Sequence, residues 1–160
     1  MTKEGRTALI ESYGNAYDKV IEALKEFPKE MWQYKPAPEK WSIHQIIIHL
    51  ADSEANSFIR CRRFIAEPGS GIYAYEQDNW ANTMNYHAQS TDDALELFKC
   101  LRKMTYDLIK NLDDKVWSNT VEHSKLGTQK MEEWLKVYEH HPYGHIGQMK
   151  RNYDEWKAKR

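Results

Sequence analysis

Apolar residues recur at steps of three and four along most of the chain, and this spacing predicts amphipathic helices. Four such helices are predicted, near residues 6–27, 42–66, 91–112 and 129–157. The residues expected to face the core from the third helix are Leu95, Phe98, Leu101, Met104 or Thr105, Leu108 and Leu112. Those of the fourth helix are Met131, Trp134, Tyr138, His141, His145, Met149, Asn152 and Trp156. No window alternates long enough to predict a strand, so the pattern indicates an all-α protein.

Local sequence signals mark where two of these helices begin. Ser42 and Gln45 have the spacing of a capping box, in which each side chain satisfies a backbone N–H group of the first turn. Trp41 and Ile46 occupy the positions of a hydrophobic staple at the same helix start. Ser90 is followed by two acidic residues, which are favoured at a helix N-terminus. We therefore expect well-defined N-termini for the second and third helices.

A long connection separates the second and third helices. Residues 67–90 show no clear period and contain two glycines and a proline. A connection of this length is uncommon inside a compact domain unless it is functional or crosses the fold. Four helices with such a crossover predict a four-helix bundle with one or two non-adjacent connections. No repeat or second domain is visible, so residues 1–160 are expected to form a single domain.

Composition excludes several classes of protein. Hydrophobic residues make up 41% and charged residues 29%, which is typical of a folded globular chain. Lys and Arg number 23 against 24 Asp and Glu, a balance that argues against a nucleic-acid partner. The local basic clusters are Arg60, Arg62 and Arg63, and Lys150 with Arg151. Such clusters usually lie on solvated helix faces, so we expect no nucleic-acid partner.

Three further features of the sequence predict where the protein is located in the cell. No apolar stretch approaches the roughly 18 residues needed to span a bilayer, so no membrane partner is expected. The first 15 residues lack the apolar core of a signal peptide. Cys61 and Cys100 have no CxxC spacing and are interpreted as reduced thiols in the core. These observations together predict a cytoplasmic protein.

Two of the seven histidines lie on the apolar stripe of the fourth helix. His141 and His145 are one turn apart, so both imidazoles can reach one ion. The spacing alone is a weak signal, because two core histidines would share it. Pro142 and the glycines at 144 and 147 break helix rules in the same two turns, at about 3 kcal/mol for the proline. Such violations are typical of a functional site.

A catalytic zinc-type centre needs a third ligand. His49 is the best candidate, because it lies on the flank of the buried face of the second helix. The other histidines are expected at a helix entry, in connectors or off the stripe, and they are His44, His87, His123 and His140. Asp52, one turn from His49, would either orient the free ring nitrogen of that histidine or face water. Gln148 would either form a hydrogen bond near the site or lie in the core.

The sequence resembles a known family in three places. These are Trp41–Glu54 (WSIHQIIIHLADSE), Tyr75–Ala81 (YEQDNWA) and the spacing His141-x-x-x-His145-x-x-Gln148. In these motifs and their order, the chain resembles the DinB/YfiT-like metal-dependent hydrolases, and its crossover resembles the YfiT or bacillithiol transferase branch. The resemblance implies an up-down-down-up bundle that commonly forms a homodimer. It also implies that His49, His141 and His145 hold a divalent metal, usually zinc or nickel.

Three neutral imidazoles would leave the metal with its full charge, so a bound water could lose a proton near neutral pH. A substrate thiol could instead bind as the thiolate. The resemblance therefore implies a metal-dependent hydrolase or a low-molecular-weight-thiol S-transferase, acting on a small-molecule substrate. The aromatic crossover would wall the substrate pocket, with Tyr73, Tyr75, Trp80 and Tyr86. The alternative is a non-catalytic, stress-related binding protein whose metal site is structural or vestigial.

Overall fold

Four long helices carry most of the chain in the computed structural model, which describes all 160 residues. They are α1 (Lys3–Leu24), α2 (Ile43–Ala66), α4 (Thr91–Ile109) and α5 (Met131–Ala158), with a short α3 (Gln77–Thr83) inside the crossover. Three short strands complete the fold: β1 (Gly71–Ile72), β2 (Thr120–His123) and β3 (Gly127–Lys130). The four predicted helices therefore correspond to α1, α2, α4 and α5. None of the helices combines the length and the apolar character that crossing a membrane requires.

The long helices run up, down, down and up, as expected. The contacts that fix their directions are Arg6–Glu132 and Glu26–Lys150 between α1 and α5, His44–Gln89 and Glu54–Arg102 between α2 and α4, and Trp41–Asn152 and Arg60–Tyr138 between α2 and α5. The first two pairs of helices are thus parallel and the third is antiparallel. Because α2 and α4 are parallel neighbours, the chain must return along a helix of 24 residues, or about 36 Å. This return explains the long crossover.

The predicted helix starts are present. The Ser42 hydroxyl accepts a hydrogen bond from the Gln45 backbone N–H, and the Gln45 side chain accepts one from the Ser42 N–H. The Ser90 hydroxyl accepts a hydrogen bond from the Asp93 N–H at the start of α4. These caps satisfy donors that have no partner within the helix.

A small sheet corrects the expectation that no strand would form. β1 pairs in parallel with β2, and β2 pairs antiparallel with β3, so the crossover is joined to the α4–α5 connection. Gly127 takes a φ of 70° at the turn between β2 and β3, a conformation that glycine adopts without steric cost. The strands have two to four residues, too few for alternation to be recognised. β3 also moves the start of the last helix from residue 129 to Met131.

The buried face of α4 differs from the predicted stripe. Its buried residues are Ala94, Phe98, Arg102, Thr105 and Ile109, whereas Leu95, Leu101 and Leu108 of the predicted stripe are half-buried and Met104 is 55% exposed. The face is rotated because a charged residue, Arg102, lies inside the bundle at 1% exposure. Cys100 is exposed on the same helix, so its predicted place in the core is wrong, whereas Cys61 is buried as expected.

A polar layer divides the apolar core into two clusters. One cluster surrounds the first half of α2 and includes Ile46 and Leu50, and the other surrounds its end and includes Cys61 and Phe64. Between these positions α2 buries polar side chains, namely Ser53, Glu54 and Ser57. Buried polar groups require partners, so this layer is where function-bearing contacts are expected.

Candidate metal centre

Three histidines from two helices converge inside the bundle. α2 supplies His49, which is fully buried, and α5 supplies His141 and His145 from successive turns. The His141 Nε2 atom lies 3.1 Å from the Nε2 atoms of both His49 and His145. One ligand atom from each residue lies within 4.8 Å of the other two, and no carboxylate or thiol joins this group. The structure thus brings together all three histidines that the sequence singled out.

The spacing of the ring nitrogens suits a divalent ion. Zinc–nitrogen bonds of about 2.0–2.1 Å at angles of roughly 90–110° place two donor atoms about 2.9–3.4 Å apart. The two separations that involve His141, both 3.1 Å, fall within this range. A neutral imidazole nitrogen holds either one proton or one lone pair in the ring plane, so His141 Nε2 can make one good hydrogen bond but has two close nitrogen neighbours. A shared cation would satisfy all three atoms.

Burial keeps the three imidazoles neutral at pH 7. Loss of hydration lowers the pKa of His49 to about 3 and that of His141 to about 2, with smaller effects from neighbouring histidines. Burial also lowers the pKa of His145, although its hydrogen bond to Gln148 acts in the opposite direction. Metal ions bind the neutral form of imidazole, so protons compete weakly for these donors.

Gln148 and Trp41 hold His145 in place. The Nδ1–H group of His145 donates to the Gln148 Oε1 atom at 3.0 Å, which leaves its Nε2 lone pair directed at the other two rings. The Trp41 ring lies parallel to that of His145, with centroids 6.4 Å apart, and is tilted by 64° against the His49 ring, with centroids 4.7 Å apart. Of the two roles open to Gln148, the structure therefore selects the hydrogen bond at the site.

Asp52 does not orient His49. Its carboxylate accepts a hydrogen bond from the Tyr86 hydroxyl in the crossover, and the buried Nδ1 atom of His49 has no hydrogen-bond partner. A spacing of three residues turns Asp52 about 60° around the helix axis from His49, toward the crossover. Burial, followed by this hydrogen bond, raises the pKa of Tyr86 well above its ordinary value, so its hydroxyl remains a donor. Asp52 thus anchors the crossover to α2.

An arginine compensates for the proline between the two α5 histidines. Pro142 has no N–H group, so the carbonyl oxygen of Tyr138 loses its donor four residues later. The Arg102 Nη2 atom donates to this oxygen at 2.6 Å. The same guanidinium forms a buried ion pair with Glu54, and its Nε atom donates to the Tyr13 carbonyl oxygen at 3.0 Å. The apolar spacing did not predict that Arg102 is buried. The sign in the sequence is that a charged residue follows Phe98 by four positions, on the same face of the helix.

The four remaining histidines lie away from the cluster. His44 contacts the Gln89 carbonyl, His87 contacts the Ser42 hydroxyl, His123 accepts from the Lys125 N–H, and His140 is exposed. His87 is half-buried rather than solvated, because the crossover packs it against the start of α2. His123 is likewise half-buried and ends β2 instead of lying in a connector, whereas His44 at the start of α2 and the exposed His140 lie where the sequence predicted.

The cluster opens to the surface beside α3. A pocket of about 160 Å³ reaches His145 and is lined by Glu39, Lys40, Trp41, Gln77, Asp78, His145 and Gln148. Gln77 and Asp78 begin α3, so the crossover borders the opening. The aromatic residues expected in this wall do not line it, and Tyr73 and Trp80 instead line a larger pocket that is also bordered by α3.

Comparisons with known proteins bear on the family and the fold. Residues 13–149 match the family model of the DinB superfamily. A protein of Oceanobacillus iheyensis named “putative metal-dependent hydrolase” is 28% identical over 106 residues, covering 66% of this chain and 61% of that protein. A protein of the same name from Bacillus cereus is 22% identical over 145 residues, covering 91% of this chain and 83% of its own length. The chain thus spans less than two thirds of the first relative.

A solved structure matches the fold. It is that of YfiT from Bacillus subtilis, described as “a probable metal-dependent hydrolase with an unusual four-helix bundle topology”. The TM-score is 0.87 at 22% sequence identity, and the match covers 95% of this chain and 87% of that chain. At this identity the likeness establishes the bundle topology.

Proposed function

Because the chain belongs to the DinB superfamily, we propose that it is a metal-dependent enzyme acting on a small-molecule substrate, with His49, His141 and His145 as the ligands of one divalent ion. The observation that carries the proposal is the convergence of three ring nitrogens within 4.8 Å of one another. Their neutral state and their spacing suit a metal ion. Two relatives named as metal-dependent hydrolases support hydrolysis as the first candidate reaction.

The site divides its chemistry between the ion and the protein. A divalent ion on three neutral imidazoles supplies Lewis acidity for activating water or a thiol. Gln148 fixes the tautomer and the direction of His145, and Trp41 packs against the His49 ring. Three protein donors, with no carboxylate or thiol among them, leave coordination positions for reactants. This incomplete donor set favours a catalytic centre over a structural one.

A low-molecular-weight-thiol S-transferase is the second candidate. No cysteine belongs to the histidine cluster, so any thiolate at the site would have to come from a substrate. Imidazole donors suit zinc and nickel among other ions, and we propose one of these two. The homodimer, the cytoplasmic location and the single domain stay predictions from the sequence and the resemblance.

Metal-stripped and metal-reloaded protein tests the proposal. We expect zinc or nickel to restore turnover of ester or amide substrates, or of a thiol with an electrophilic acceptor. His49→Ala and His145→Ala should abolish this turnover, whereas His140→Ala, an exposed histidine on the same helix as His145, should retain it. Turnover in the thiol mixture alone would select the transferase. Absence of metal-dependent turnover in both mixtures would contradict the catalytic proposal.

A further inference from the structure

A second pocket, of about 390 Å³, lies beside the histidine centre. Two arginines of α2, Arg60 and Arg63, line it together with Trp80 of α3. Tyr138 connects it to the centre, because its hydroxyl accepts a hydrogen bond from Arg60 at 2.7 Å and its ring centroid lies 6.3 Å from that of His141. Nothing in the proposed metal chemistry uses this pocket.

Neutral groups hold both guanidinium groups in position. Arg60 donates to the Tyr73 carbonyl oxygen at 2.6 Å, in addition to the Tyr138 hydroxyl, and Arg63 donates to the Gly71 carbonyl oxygen at 2.7 Å. A guanidinium carries five N–H donors, so both arginines retain most of theirs. Their positions are thus fixed without their charge being neutralised.

The nearby carboxylates leave the pocket positive. Asp52 is the one carboxylate among the lining residues, against two arginines, and its hydrogen bond is with the Tyr86 hydroxyl. Glu67 lies 3.9 Å from Arg63, beyond hydrogen-bonding distance, and is 60% exposed. An exposed pair of this kind has little effect in water. No carboxylate hydrogen-bonds to Arg60 or Arg63, so an anionic ligand would find both charges available.

Five of the ten residues that line the pocket are hydrophobic. Ile59 is 54% exposed beside the arginines, and Ile72 and Trp80 also line the pocket. Exposed apolar surface next to two cations suits an organic acid better than an inorganic ion, because an organic body buries that surface. An arginine fork matches the geometry of a carboxylate.

We propose that this pocket binds the carboxylate group of a small organic acid, with Arg63 and Arg60 as the anion-binding residues and Trp80 against the organic body. The proposal rests on the proposed function in one respect: the bound acid is part of the substrate or co-substrate of the histidine centre. Binding itself requires neither metal nor turnover.

Calorimetric titration with phenylacetate, phenylacetamide and inorganic phosphate tests the proposal. We expect saturable binding of phenylacetate, and binding of phenylacetamide and phosphate at least about tenfold weaker, a difference of about 1.4 kcal/mol. Arg63→Gln should weaken phenylacetate binding by a similar factor. Arg63→Gln is a better test than a substitution of Arg60, because Arg63 donates to one backbone carbonyl only, whereas Arg60 donates to two groups.

Arg62→Gln is the matched control. Its guanidinium lies 3.2 Å from the centroid of the Phe58 ring and does not line the pocket. We expect this variant, which loses the same charge from the same helix, to bind phenylacetate as the wild type does. Equal weakening in Arg62→Gln and Arg63→Gln would overturn the proposal. Equal binding of phenylacetate and phenylacetamide would also overturn it, and this comparison requires no variant.

His49→Ala separates this proposal from the proposed function. We expect the variant to lose metal and turnover while it binds phenylacetate normally. In the wild type, phenylacetate binding without any metal-dependent turnover would contradict the proposed function alone. Metal-dependent turnover without phenylacetate binding would contradict the pocket proposal alone.

Discussion

The contact between Arg102 and the Tyr138 carbonyl predicts a measurable coupling between Arg102 and Pro142. In the wild type this arginine satisfies the oxygen that the proline leaves without a donor. Arg102→Met removes both this hydrogen bond and the partner of the buried Glu54 carboxylate. We expect a loss of about 3–5 kcal/mol in the free energy of unfolding, because a buried charge is left unpaired.

Pro142→Ala should partly rescue that variant. The alanine supplies an N–H group to the Tyr138 carbonyl, and an unsatisfied buried acceptor costs about 1–3 kcal/mol. In the wild type the same substitution gains less from this bond, because Arg102 already donates to the oxygen. Pro142→Ala should therefore be more stabilising in the Arg102→Met background than in the wild type, by about 1–3 kcal/mol.

Urea denaturation of the four proteins of this double-mutant cycle measures the coupling. Metal-free protein is used for all four, so that metal binding does not contribute to stability. If Pro142→Ala changes the free energy of unfolding equally in both backgrounds, within about 0.5 kcal/mol, the reasoning is refuted. A coupling of the predicted size would identify Arg102 as a residue that positions the α5 segment carrying His141 and His145.

Two further predictions concern the buried histidines and the contact between Tyr86 and Asp52. In metal-free protein, the free energy of unfolding should decrease as the pH falls below about 6.5, because unfolded His49 and His141 take up protons that their folded forms, with pKa values of about 3 and about 2, do not. Urea titrations at pH 7.5 and 5 measure this, and a pH dependence unchanged in His49→Ala would contradict it. Tyr86→Phe should cost about 1–2 kcal/mol of stability by removing the donor to Asp52, while metal content stays unchanged. Loss of metal in Tyr86→Phe would contradict the separate role assigned to Asp52.

Local signals predicted the parts of the structure that depend on neighbouring residues. The capping box at Ser42 and Gln45 is set by residues three apart, and both of its hydrogen bonds are present. The helical spacing of His141 and His145 likewise placed both rings on one face. His49 is predicted from its place on the flank of the buried face of the second helix, and the family resemblance supports that prediction. Its proximity to α5 depends on the packing of distant segments, which helical spacing does not predict.

The features that the sequence did not predict depend on long-range partners. The sheet forms because β2 pairs with two other segments, although no strand exceeds four residues. Arg102 is buried because Glu54, 48 residues earlier, neutralises its charge. Asp52 contacts Tyr86 rather than His49 because the crossover, which has no helical period, returns along α2. In each case the partner is far away in the sequence.

X-ray absorption spectroscopy of the zinc-loaded protein tests the central claim most directly. Three imidazole nitrogens at about 2.0–2.1 Å, completed by a light atom from solvent, are the predicted environment. His145→Ala should reduce the imidazole count by one, and His140→Ala should leave it unchanged. A sulfur ligand at about 2.3 Å, a closed set of four protein ligands, or an unchanged spectrum in His145→Ala would contradict the account.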